Sequence, residues 1–150
     1  MDRFIEVIEF AIQQEESEAE FYEMLATRAE SQAVRNVLLD HAKQEWEHKA
    51  RLQEILASHR LPGGGRRFRD PDLQIADYTV AAPVAEGELG YQDALILAAK
   101  REKAAERLYR DMASQTDDPQ TANLFLFLAE QEAKHRHQIE RDYDDMQKEG

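Results

Sequence analysis

Apolar residues recur along the chain with the spacing of amphipathic helices, in four long segments. The first segment runs from Asp2 to about Ala29 without a proline or glycine, and Asp2 suits the position of its N-cap. The second follows Ser31, another capping residue, and ends before the proline- and glycine-containing stretch 61–65. The pattern therefore predicts two long helices joined by a short turn.

The second half of the chain repeats this organisation. A helical pattern begins at Tyr91 and continues to a short turn near Thr116. Asp118 followed by Pro119 is typical of an N-cap and the first helical position, and it opens a fourth helix that continues to the polar tail. Because short turns make consecutive helices antiparallel neighbours, we expect an all-α four-helix bundle made of two helical hairpins.

The segment of about 59–90 between the hairpins is too long for an ordinary loop. Joining two hairpins in a bundle needs a connection that crosses its length, and apolar side chains on this segment could fix it to the surface. We expect that role for Ile75, Tyr78, Val80 and Val84. The chain is thus predicted to be a single domain with halves of about 1–58 and 91–148 and a long crossover between the second and third helices.

The two halves are related by an internal repeat that carries ionisable residues. At a shift of 87 positions the repeat pairs Glu15 with Glu102, Tyr22 with Tyr109, Glu45 with Glu132, and His48 with His135. Each half therefore offers one helix with a lone Glu and another with Glu and His one turn apart on the same face. The glutamates fall within the apolar stripes, where an ionised carboxylate is costly unless it is paired or bound to metal.

Two such halves supply the ligands of a dinuclear metal site in a four-helix bundle. The predicted metal ligands are Glu15, Glu45, His48, Glu102, Glu132 and His135. Four carboxylates balance the charge of two divalent ions, and mixed carboxylate and imidazole ligation suits iron or manganese better than calcium. We expect two iron ions, with manganese or zinc as alternatives. A single Glu-x-x-His could arise by chance among solvated glutamates, but two copies in register argue for a site.

Tyr22 and Tyr109 stand seven residues after the lone glutamates. From there each hydroxyl can hydrogen-bond a ligand carboxylate across the bundle, which would give the tyrosines a supporting catalytic role. The alternative is that both rings fill the core and their hydroxyls find other partners. His41 lies one turn before Glu45, where the second half has Leu128, and we interpret it as a core histidine.

Composition narrows the classes of partner. With 19 Lys and Arg against 31 Asp and Glu, the formal net charge is −12, which argues against nucleic acid or an anionic membrane. The absence of cysteine excludes disulfides and cysteine-bound metal centres, so any electrons must come from elsewhere. The sequence has neither a signal-peptide core nor an apolar stretch that would span a bilayer, and we expect a cytoplasmic protein.

Two leucines suggest how the chain associates. Leu126 points away from the Glu132 side of its helix, and its counterpart in the first half is Leu39. Exposed apolar side chains on the second and fourth helices favour a homodimer formed through these helices. The alternative is that the crossover covers them.

At the repeated residues the sequence resembles the rubrerythrin-like branch of the ferritin-like di-iron superfamily. The resemblance lies in the segments Glu15 to Tyr22, Gln44 to His48, Glu102 to Tyr109, and Gln131 to His135, and it covers essentially the whole chain. It implies a ferritin-like bundle with a non-haem di-iron site that handles oxygen, peroxide or Fe(II). It also implies that Glu45 and Glu132 bridge the two ions.

The resemblance favours an oxidoreductase that reduces peroxide or oxygen, or oxidises Fe(II), at a carboxylate-bridged dinuclear site, with an external protein as electron donor. An iron-handling ferroxidase or carrier is the first alternative, and a bundle that binds a partner without catalysis is the second. Peroxide-reducing rubrerythrins carry a further Glu one turn after the lone Glu of the third helix, where this chain has Ala105. The oxygenase branch has Asp at the positions of Gln44 and Gln131, so this chain does not match the oxygenase pattern.

Overall fold

The computed structural model describes residues 2–60 and 69–149, and four long helices dominate them. The helices are α1 Arg3–Arg28, α2 Gln32–Arg60, α3 Tyr91–Gln115 and α4 Pro119–Glu149. Helix α1 packs along α2 and α3 along α4, and the described ranges contain no strand. The all-α bundle of two hairpins, joined by a long crossover, is confirmed.

The helices begin at the capping residues that the sequence predicts. The side chains of Asp2, Ser31 and Asp118 each accept a hydrogen bond from the amide three residues further on, at 3.1, 3.1 and 2.9 Å. Each bond satisfies an N–H group that the first turn of a helix leaves unpaired. The predicted stop of the second helix at 61–65 lies outside the described residues, and α2 itself extends to Arg60.

The connection between the hairpins runs over the side of the bundle formed by α1 and α3. At its start the Asp70 carboxylate accepts a hydrogen bond from the Phe4 amide at 3.1 Å. At its end the Leu89 carbonyl accepts one from the Arg28 guanidinium at 2.6 Å. Because Phe4 lies at the beginning of α1 and Arg28 at its end, the connection crosses the length of the bundle, as predicted.

Three of the four apolar residues predicted to fix this connection do so. Tyr78, in a short 3₁₀ helix, is buried, and its hydroxyl donates a hydrogen bond to Asp111 of α3 at 2.5 Å. Ile75 and Val80 are partly buried against the core. The crossover is therefore held by apolar contacts over its middle part.

The prediction for Val84 is wrong, because its side chain is 48% exposed. It lies just before a second 3₁₀ helix, Glu86–Glu88, which contacts α3 through a charged side chain. Oε1 of Glu86 lies 2.7 Å from Nη2 of Arg101 in α3. A charged contact thus takes the place of the apolar contact expected here.

The core consists of two apolar clusters with a layer of ionisable side chains between them. In α1 the first cluster includes Phe4, Ile8 and Ala11, and the second begins at Phe21. Glu15 is buried between the two. Because Glu15 lies between the two apolar clusters along α1, the candidate site lies near the middle of the bundle's length.

Exposed apolar side chains lie on α2 and α4. Leu39, Leu126 and Phe127 are exposed at 44%, 42% and 41%. The described part of the crossover contacts α1 and α3 instead and does not cover them. Within 2–60 and 69–149, no helix has both the length and the apolar character that crossing a membrane would require.

Candidate metal centre

All six residues predicted as metal ligands are buried at one level of the bundle, with exposed fractions of 0 to 3%. Their ligand atoms form two groups, and within each group the atoms lie within 4.8 Å of one another. The groups are Glu15, Glu45, His48 and Glu132, and Glu45, Glu102, Glu132 and His135. The structure therefore brings the predicted residues together, and it places Glu45 and Glu132 in both groups.

The histidines connect the two halves of the centre. Nδ1 of His48 in α2 lies 2.9 Å from Oε1 of Glu132 in α4. Nδ1 of His135 in α4 lies 2.9 Å from Oε1 of Glu45 in α2. Residues three apart share a helix face, so each histidine points into the core beside the glutamate three positions before it. There it contacts the corresponding glutamate of the other hairpin.

Many of the buried oxygens lack a hydrogen-bond donor. Five carboxylate oxygens of the centre have no hydrogen-bond partner among the described residues: Oε2 of Glu15, Glu102 and Glu132, and both oxygens of Glu45. Nδ1 of His135 also has no hydrogen-bond partner, although it lies 2.9 Å from Oε1 of Glu45. Unpaired buried acceptors are unfavourable. Acceptors that converge without donors suit a cation, so these residues could hold metal ions of the predicted kind.

Burial changes the protonation of the centre. It raises the pKa values of Glu45, Glu102 and Glu132 well above their ordinary value, and the charges of neighbouring carboxylates raise them further. Burial also lowers the pKa of His135 to about 2. The metal-free centre thus favours protonated carboxyl groups and neutral imidazoles, whereas metal ligation requires the carboxylates to be ionised.

The two tyrosines form the hydrogen bonds across the bundle that the sequence predicts. The Tyr22 hydroxyl donates to Oε1 of Glu102 at 2.6 Å, and the Tyr109 hydroxyl donates to Oε1 of Glu15 at 2.5 Å. Each bond joins the lone glutamate of one hairpin to the tyrosine of the other. It leaves Oε2 of each carboxylate available to the centre, although a supporting catalytic role for the tyrosines stays a prediction.

Replacing Tyr109 with Phe should lower the free energy of unfolding of the metal-free protein by about 1–3 kcal/mol, because Glu15 loses its buried donor. Urea unfolding would measure the change. Tyr143→Phe is the matched control, because this tyrosine is only partly buried and lies outside the ionisable layer. Equal losses in the two variants would contradict a specific contribution from the Tyr109 hydrogen bond.

Two residues beside the centre, Gln44 and His41, contact the imidazole ring of His135. The Gln44 side-chain oxygen lies 2.8 Å from Nε2 of His135. Since an amide oxygen can only accept, this contact places the hydrogen on Nε2 and leaves the lone pair on Nδ1, towards Glu45. His41 is buried and stacks on the His135 ring with centroids 4.1 Å apart. Burial lowers its pKa to about 4, and it belongs to neither ligand group, in agreement with its interpretation as a core histidine.

Glu18 is a buried carboxylate that the sequence pattern did not single out. It is 4% exposed and lies one turn after Glu15 in α1. The predicted ligands recur in both halves, whereas Glu18 has Ala105 as its counterpart. The sequence feature that indicates its burial is its position within the apolar stripe of α1, next to Ala19.

Comparison with known proteins agrees with this geometry. The sequence model of the family described as Rubrerythrin matches residues 6–85 and 93–150. No protein with a curated description gives a significant match. The two matched ranges contain all six predicted ligands and both tyrosines, and the resemblance found in the sequence is confirmed. The chain belongs to the rubrerythrin family.

Proposed function

We propose that this protein is a non-haem di-iron oxidoreductase that reduces peroxide or oxygen with electrons from a separate donor protein. The observation that supports it most is the layer of four buried glutamates and two histidines, in which five converging carboxylate oxygens have no hydrogen-bond donor among the described residues. Glu15 and His48 would hold one ion, and Glu102 and His135 the other. Glu45 and Glu132 would bridge them, because both belong to the two groups of ligand atoms.

The bound iron pair would supply electrons by moving between its ferrous and ferric states. The chain itself keeps the ligands in place. Burial, followed by the charge of the bonded carboxylate, raises the pKa values of Tyr22 and Tyr109 well above their ordinary value. Both hydroxyls therefore stay protonated and donate to Glu102 and Glu15. The apolar clusters on either side exclude bulk water from the ionisable layer.

The reaction needs an external source of electrons. Hydrogen peroxide takes up two electrons and two protons to give two water molecules, and the chain has no cysteine with which to hold a second redox centre. The formal net charge of −12 favours a donor protein with a positively charged docking surface.

Iron handling is the second candidate. The strong negative charge raises the local concentration of cations, which would suit a protein that oxidises Fe(II) and passes it on. Turnover distinguishes the two candidates. The proposed oxidoreductase should consume many equivalents of hydrogen peroxide per chain in the presence of a reductant while its iron content stays at two ions. Iron uptake that exceeds this content, without multiple turnovers, would favour iron handling.

We also propose that the protein forms a homodimer through α2 and α4. Leu39 and Leu126 occupy equivalent positions in the repeat and are both exposed, so the hairpins present similar apolar surfaces on this side. Leu126→Glu should convert the dimer to a monomer in sedimentation equilibrium. Val84→Glu is the control, because Val84 is exposed to a similar extent, 48% against 42%, but lies on the crossover. A monomeric wild-type protein, or a Leu126→Glu dimer, would contradict the proposal.

A further inference from the structure

A small cavity lies beside the centre, between α1 and α3. Its volume is about 20 Å³, and Glu15, Glu45 and Tyr109 contribute to its wall. Roughly 10–15 Å³ of such space is enough for one water molecule. The cavity therefore has room for a molecule of the size of water or hydrogen peroxide, in contact with residues of the proposed metal centre.

Glu18 lines the same cavity and has one oxygen without a partner. Its Oε1 lies 3.6 Å from Nε of Arg101, and Nη2 of Arg101 is in turn 2.7 Å from Glu86 of the crossover. Oε2 of Glu18 is buried and makes no hydrogen bond within the described part of the chain. A buried acceptor of this kind is unfavourable unless a donor reaches it. The cavity is where such a donor can be accommodated.

The internal repeat explains why the space exists on this side. Ala105, the counterpart of Glu18 in α3, also lines the cavity. Glu18 of α1 therefore faces only the methyl group of Ala105 across the cavity. A glutamate at position 105, as an exact repeat would have, would fill this space. Glu18 is absent from both groups of ligand atoms, so its position differs from that of the six predicted ligands.

We propose that Glu18 is a substrate-binding residue, whose free Oε2 accepts a hydrogen bond from the O–H group of a small hydroxylic molecule held in this cavity. The inference rests on the proposed function and specifies its substrate. Hydrogen peroxide offers such a group, whereas dioxygen has no hydrogen to donate. The volume of about 20 Å³ excludes organic hydroperoxides with a bulky carbon group. Arg101 positions Glu18 by engaging its other oxygen.

A high-resolution crystal structure of the metal-free protein tests the binding position without any turnover. We expect an ordered water molecule in the cavity, within hydrogen-bond distance of Oε2 of Glu18. The iron-loaded protein should show Glu18 in the same place, away from the ions. An empty cavity, or Glu18 bound directly to iron, would overturn the proposal.

Kinetics with substituted chains test the contribution of Glu18 to substrate binding. Glu18→Ala should keep its full iron content but raise the KM for hydrogen peroxide by about threefold to tenfold, the effect of losing one hydrogen bond. The value of kcat should change less. Glu20→Gln removes an exposed carboxylate from the same helix and is the control. An unchanged KM, or a loss of iron from Glu18→Ala, would overturn the proposal.

Substrate size provides a second test, which asks whether the substrate occupies this cavity. Wild-type protein should turn over tert-butyl hydroperoxide poorly, and Glu18→Ala should narrow the difference between this probe and hydrogen peroxide because the cavity is larger. Ala105→Leu should raise the KM for hydrogen peroxide while Glu18 is intact. Failure of wild-type protein to bind iron or reduce peroxide would instead refute the proposed function, and the crystal structure would still decide the position of Glu18.

Discussion

Replacing Glu45 or Glu132 with alanine should empty the centre of both metal ions, whereas replacing Glu15 or Glu102 should leave part of the metal bound. Glu45 and Glu132 each belong to both groups of ligand atoms, so one substitution removes a ligand from each ion. Glu15 and Glu102 belong to one group each. Iron per chain, measured after reconstitution and dialysis, should therefore be close to zero in the first pair of variants and clearly higher in the second.

A surface variant provides the control for this comparison. Glu16→Ala removes a carboxylate from α1 that is partly exposed and lies 3.4 Å from Lys49, away from the ionisable layer. Its iron content should equal that of the wild type. Equal losses of iron in all four glutamate variants of the centre would contradict bridging by Glu45 and Glu132.

Metal-free protein should gain stability as the pH falls through the neutral range towards 6.5, the ordinary pKa of histidine. Burial and then neighbouring carboxylates raise the pKa values of four carboxyl groups well above 4.5, namely Glu18, Glu45, Glu102 and Glu132. A group with a raised folded pKa stabilises the fold below its unfolded pKa and loses this contribution as the pH rises through its folded pKa. Each proton that only the folded state retains changes the free energy of unfolding by about 1.4 kcal/mol per pH unit.

Two buried histidines limit this effect at lower pH. The pKa of His41 is lowered to about 4 and that of His135 to about 2, from the ordinary value of 6.5. A lowered folded pKa stabilises the fold above the unfolded value, and the contribution is lost as the pH falls. Below pH 6.5 the histidines therefore oppose the carboxyl groups. The decrease in the free energy of unfolding with rising pH, which the carboxyl groups cause, should therefore be clearest at neutral to mildly alkaline pH.

Metal loading should produce the opposite dependence. Metal ions need ionised carboxylates and neutral imidazoles, so they bind better as protons leave. The increase in thermal midpoint on loading should accordingly grow with pH. The double variant Glu45→Ala, Glu132→Ala is the control, and metal should leave its midpoint unchanged. An increment that stayed constant or shrank with rising pH would contradict a centre of clustered carboxylates.

The sequence predicted those parts of the structure that depend on local or repeated patterns. Asp2, Ser31 and Asp118 cap helices where expected, because an N-cap acts within one turn. The six predicted ligands converge, because helical periodicity places Glu and His three positions apart on one face and the repeat supplies the second half. Both kinds of signal are available without tertiary information.

Features that depend on the packing of distant segments were harder to predict. Val84 is apolar but exposed, and this part of the crossover instead contacts α3 through the ion pair between Glu86 and Arg101. The counterpart of Glu18 in the second half is Ala105, so the repeat does not mark Glu18 as part of the site. The cavity beside Glu18 exists only where α1, α3 and the crossover meet, and no single segment specifies its volume.

The iron content of the purified protein tests the central claim most directly. Protein produced under iron-replete conditions would be analysed for metal, and its optical spectrum recorded in the oxidised and reduced states. We predict two iron ions per chain and a spectrum that changes reversibly with oxidation state, with neither property in the Glu45→Ala, Glu132→Ala variant. Wild-type protein that takes up no iron, or as much iron as the double variant, would contradict the account.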